Sequence, residues 1–175
     1  MSLTFKYGDM FENPKGYIMH GCNAQGVMGS GVAKIVKDRY FEAFKVYAQQ
    51  HPHYILGEVI PKKVTDDLVI VNAITQDQFG THQVQEDYDA IRQAMKGAVH
   101  LVSSNHFDVP QELHMPFIGA GLAGGDPDTI VAIMQEELAD APIDATLWLY
   151  DVEHLYLFKD EPDDVLFISG GAKSV

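Results

Sequence analysis

Two glycine-rich stretches, each placed where a strand pattern hands over to a helix pattern, constrain this chain more than any other feature. The first, GCNAQGVMGSGVAKIV at 21–36, follows the apolar run Tyr17–Cys22 and enters a helical pattern near Gly31. The second, MPFIGAGLAGGDPDTI at 115–130, follows the β-rich run Glu112–Met115 and enters a helical pattern near Pro127. Glycine lets a backbone approach a ligand closely and adopt positive φ. The start of a helix offers unpaired N–H groups that attract anions. Either stretch alone reads equally well as plain structure. Two of them on neighbouring parallel strands converge at one sheet edge, where open α/β sheets bind ligands.

The remaining elements alternate in the way such a sheet needs. Leu3–Tyr7, Glu58–Val64, Leu68–Thr75 and Ala145–Tyr150 read as further strands, with Asp66 and Asp67 forming a tight connection between the middle two. Gly31 to Gln50 carries Val32, Ile35, Val36, Tyr40, Phe44 and Tyr47 at helical spacing, which predicts one long helix. Asp87–Asn105 and Pro127–Ala139 complete the helices, the latter with Asp126 as N-cap and Pro127 at the first position. The expected fold class is α/β, a mixed and mostly parallel central sheet flanked by helices on both faces. One domain over residues 1–151 is expected, with 152–175 as an extension. In that extension HLYLF (154–158) and VLFIS (165–169) flank the acidic KDEPDD, an edge hairpin or a segment docking on a neighbour, before a flexible end.

The charge balance narrows the ligand. A formal net charge of −13 repels phosphate backbones, so general nucleic-acid binding is not expected. Lys34, Lys37, Arg39, Lys45, Lys62 and Lys63 gather six of the twelve basic residues between 34 and 63, either as a local anion-facing surface or as a solvated mixed face. The P-loop pattern GxxxxGK[ST] is absent, so main-chain amides rather than lysine must meet any phosphate. A single cysteine, Cys22, fits a reducing compartment, and the expected location is cytoplasmic. The opening MSLTFKYGDMF lacks a secretory pattern, and no long apolar window suggests a membrane span.

The stretch HGCNAQGVMGSGVA, with Gly8-Asp9 upstream and MPFIGAGLAGG downstream, resembles the macro domain family over roughly residues 3 to 150. The resemblance is to the branch holding the ADP-ribose 1″-phosphate phosphatase and the terminal ADP-ribose glutamate hydrolase, with phage-encoded members closer still. It implies a hydrolase that takes ADP-ribose or a derivative and needs neither cofactor nor metal. A non-catalytic ADP-ribose-binding module stands as the alternative. An ADP-ribosylated protein or nucleic-acid end is the implied macromolecular partner.

The resemblance also implies roles by position. Asp9, with Met10 beside it, takes the adenine amino group; read alone, Asp9 is equally a turn or cap residue. Asn23 faces the distal ribose, lined further by Gly29, Ser30, Gly31 and Val32. Gly119, Ala120, Gly121, Leu122 and Ala123 wrap the diphosphate. Phe79 with Gly80 shapes the distal pocket, and Tyr150 and Asp151 sit beside the adenine. His20, Asn23 and Asp126 are the implied catalytic residues. Read without the family, His20 is a buried core histidine and Asp126 a helix cap. The glutamate hydrolase uses a lysine after its central strand, whereas AITQDQFG (73–80) has Gln76 and Asp77 there. That departure points to direct attack by water.

Overall fold

The computed structural model describes residues 3–29, 31–77, 87–116 and 126–149, together with the backbone of 165–167. Its strands are β1 (Leu3–Tyr7), β2 (Gly16–Asn23), β3 (Val59–Thr65), β4 (Leu68–Gln76), β5 (Glu112–Pro116), β6 (Asp144–Leu149) and β7 (Val165–Phe167). They form one sheet in the order β3-β4-β2-β5-β6-β1-β7. Among the described residues only the β3–β4 pair is antiparallel, turning at Asp66 and Asp67 as the sequence suggests.

The central strands read as apolar runs because both of their faces are covered. On one face Tyr17, Met19, Val69, Val71, Leu113 and Met115 pack with residues of α3 (Tyr88–Ser104) and α4 (Pro127–Leu138). On the other, Ile18, Ile70 and Ile74 pack under α1 (Gly31–Arg39) and α2 (Phe41–Ala48). The spacing of Ile91, Met95, Ala98 and Val102 turns one stripe of α3 inward. Asp87 caps that helix, accepting from the Ala90 amide at 3.0 Å. Asn105 ends it in the left-handed region, φ 48°.

The single helix expected over 31–50 is two. Tyr40 breaks it, with φ −132° and ψ 61°, outside helical geometry. A straight helix would hold Tyr40, Phe44 and Tyr47 on one stripe. After the break, Ala43 and Tyr47 become the buried residues of α2, Phe44 stays half-buried, and Tyr40 packs its ring 6.2 Å from Phe11. Four of the six basic residues of this region have bonded partners within the fold. Lys34 pairs with Asp38, Lys45 with Glu42, Arg39 donates to the Phe11 carbonyl, and Lys63 donates to the Phe107 carbonyl.

Gly16 allows β2 to start where it does. Its φ is +81°, and a Cβ there would stand 2.7 Å from the Glu112 carbonyl oxygen of neighbouring β5. Of the extension, Val165–Phe167 lies parallel to β1 at the sheet edge. The hairpin expected with 154–158 falls outside the described residues. Among the described residues no helix is long and apolar enough to cross a membrane.

Candidate functional site

The sheet order brings the ends of β2 and β5, from which the two glycine-rich stretches depart, to one edge. β2 lies between β4 and β5 and runs parallel to both. The first stretch leaves β2 at Asn23 and reaches α1 at Gly31; the second leaves β5 at Pro116 and reaches α4 at Pro127. The body of the second, with Gly119, Ala120, Gly121, Leu122 and Ala123, lies outside the described residues. So do Ser30, Phe79, Gly80, Tyr150 and Asp151.

The first stretch is built around the Asn23 side chain. Its Oδ1 accepts from the Gln25 amide at 3.0 Å, the Val27 amide at 3.3 Å and the Tyr47 hydroxyl at 2.8 Å. Its Nδ2 donates to the Val27 carbonyl at 2.8 Å. An amide has two acceptor lone pairs and two N–H donors. The oxygen is therefore fully engaged, and among the described residues one N–H has no partner. The turn is also tied to the end of β4: the Ala24 amide donates to the Gln76 carbonyl at 2.9 Å, and Gln25 Nε2 donates to the Asp77 carbonyl at 3.1 Å.

Along the same loop Gly29 is exposed, Gly31 opens α1 at φ +59°, and Val32 is half-buried. No acidic residue stands in the first turn of α1. Asp9 is exposed, and its Oδ1 accepts from the Phe11 amide at 2.9 Å. That bond is a turn role and occupies one of its two oxygens. Met10 is buried among the residues under α1 and α2.

His20 sits behind the rim rather than on it. Its side chain belongs to the α1/α2 face of the sheet and is 1% exposed. Asn72 on β4 stands directly opposite in the register. Asn72 Nδ2 donates to the Ala43 and Ile60 carbonyls at 3.0 and 3.1 Å, which fixes the amide orientation. Its Oδ1 must then accept from His20 Nε2, 2.7 Å away. The imidazole is thus the neutral Nε2–H form, with Nδ1 3.8 Å from Cys22 Sγ. Burial pulls its pKa down to about 4, against the raising effect of the Asn72 bond. The His20 ring has an orienting partner on the neighbouring strand. The partner is Asn72, and its signal was a lone amide inside the apolar run LVIVNAIT.

Asp126 is the N-cap of α4. Its Oδ2 accepts from the Thr129 amide at 3.2 Å and from the Thr129 hydroxyl at 2.6 Å, while its own amide donates to the Tyr88 hydroxyl at 2.8 Å. Replacing it with alanine is expected to cost about 1 kcal/mol of stability, as N-cap losses do, and asparagine much less. Urea unfolding of the two variants checks this. Equal losses would mean that the cap is not what Asp126 contributes.

No family model matches the sequence. Over 46 residues the chain is 49% identical to an ADP-ribose 1″-phosphate phosphatase of Neosartorya fischeri, which covers 26% of this chain and 23% of the relative. The fold is similar to the macrodomain of Mycobacterium tuberculosis DarG, with TM-score 0.72, 19% identity, 83% of this chain and 96% of that one. It is likewise similar to Thermosipho africanus DarTG in complex with ADP-ribose, with TM-score 0.71, 18% identity, 93% of this chain and 44% of that one.

Proposed function

From the premise that this chain is a macrodomain by fold, we propose that it binds ADP-ribose and hydrolyses a substituent on the distal ribose. The observation carrying this reading is the pair of glycine-rich connections leaving adjacent parallel strands at one sheet edge. Amides of the two turns grip the pyrophosphate, Asp9 meets the adenine, and Asn23 presents its remaining N–H to a distal-ribose oxygen. Ser30, Phe79, Tyr150 and Asp151 complete the surround. The short match to a phosphatase supports phosphate as the substituent.

Of the residues expected to move a proton, we assign the role to Asp126, which opens α4 after the second glycine-rich stretch. It accepts a proton from the attacking water. His20, enclosed and neutral, supports the strand from behind. The site needs no metal in this scheme, and a cytoplasmic setting suits the single cysteine.

Calorimetry with ADP-ribose, NAD and ADP is the first test, followed by phosphate release from ADP-ribose 1″-phosphate. We expect ADP-ribose to bind at least tenfold more tightly than NAD, and Asp126→Asn to lower turnover about a hundredfold while leaving ADP-ribose affinity near that of the parent. No uptake of ADP-ribose would end the reading. Tight stoichiometric binding without product would favour a non-catalytic module. Two observations lean that way: the Thr129 bonds to the Asp126 carboxylate, and the absence of a lysine at 73–80.

A further inference from the structure

The rim is held in shape by a side chain from α2. Tyr47 is fully buried, and its hydroxyl lies 2.7 Å from the Asn23 carbonyl oxygen and 2.8 Å from Asn23 Oδ1. Its ring stands 5.2 Å from that of Tyr54, whose hydroxyl donates back to the Tyr47 carbonyl at 2.8 Å. Tyr54 and His51 also close around Gly26, where a Cβ would sit 3.3 Å from the Tyr54 hydroxyl and φ is +80°. The 47–54 segment therefore forms a floor beneath the first glycine-rich turn. From that floor a single hydroxyl bonds the residue that organises the turn.

We propose that Tyr47 is a positioning residue: its hydroxyl fixes the Asn23 amide, and with it the Gln25 and Val27 backbone, in the shape that receives the distal ribose. The proposal rests on the ADP-ribose reading above. Burial holds the Tyr47 hydroxyl above its ordinary range, so it remains a proton donor at all working pH values. With the amide oxygen taken by the Gln25 and Val27 amides and the single Tyr47 hydroxyl proton shared between that oxygen and the Asn23 carbonyl, Asn23 addresses a ligand through one N–H only. The ligand atom facing it must then be an acceptor, as a ribose oxygen is.

Tyr47→Phe removes the hydroxyl and keeps the ring. Two measurements on the full chain decide the matter. The first needs no ligand: hydrogen exchange of the Gln25 and Val27 amides is expected to quicken about tenfold, the scale of one lost hydrogen bond. The second compares ADP-ribose with ADP, which lacks the distal ribose. The variant is expected to bind ADP-ribose five- to tenfold more weakly and ADP unchanged. Unchanged exchange overturns the proposal, as does an equal loss for both ligands, which would mark a general loss of packing. Faster exchange with undiminished ADP-ribose affinity overturns it too. If the parent protein binds ADP but shows no gain for ADP-ribose, the functional reading fails by itself, while the exchange result still reports on the hold exerted by Tyr47.

Discussion

Asn72→Leu is expected to lower unfolding stability by about 3–4 kcal/mol, at the upper end for a single substitution of similar volume. The side chain is 0% exposed and serves three partners at once: the Ala43 carbonyl on α2, the Ile60 carbonyl on β3, and the His20 ring on β2. Leucine fills the space but strands the His20 N–H in an apolar layer and takes a donor from two carbonyls. An unsatisfied buried group costs its full desolvation, which is why the loss exceeds the net worth of the bonds. Urea midpoints at neutral pH measure it. The double variant His20→Leu/Asn72→Leu should cost clearly less than the sum of the single variants, because the stranded donor is removed with its partner. Additive losses would show that the pair is not coupled.

Acid should weaken the fold through His20. A free histidine titrates near 6.5, and the folded chain holds His20 at about 4, so folding favours the neutral ring. Its stabilising effect is complete above pH 6.5 and drains away as pH falls towards 4. The span corresponds to about 3 kcal/mol. His20→Gln keeps a donor at the Nε2 position and cannot titrate. Between pH 7.5 and pH 4 the parent should therefore lose about 3 kcal/mol more than the variant, with the carboxylates contributing equally to both. Parallel stability curves would place the His20 ring in contact with water.

The strands and helices were legible because their periods are strong, and the two glycine-rich turns were legible because glycine marks positive φ and close approach. The break at Tyr40 was not. Val32 to Tyr47 keeps helical spacing straight through it, and only packing against Phe11 distinguishes one helix from two. Within the site, Asn23 was recognisable from its place in the loop motif. Its commitment to Gln25, Val27 and Tyr47 was not, since a side chain's partners depend on how α2 lies across the strand end. Asp126 carried both of its readings in sequence, and the cap is the one drawn by Thr129. Tyr47 reads from sequence as another apolar contact, because a hydroxyl 24 positions from its acceptor leaves no periodic trace.

The position of β1 has a consequence for how the molecule comes into being. Its register joins Leu3 to Ala145, so the first strand made finds its β6 partner only after nearly the whole domain has been synthesised. On the ribosome Leu3–Tyr7, with Leu3, Phe5 and Tyr7 along one face, must wait as an unpaired strand while β2 to β5 emerge. Contacts so distant along the chain slow folding and prolong exposure of an aggregation-prone edge. A nascent chain halted before residue 144 would carry that strand with no β6 to receive it, which makes the very end of the domain the step that commits β1.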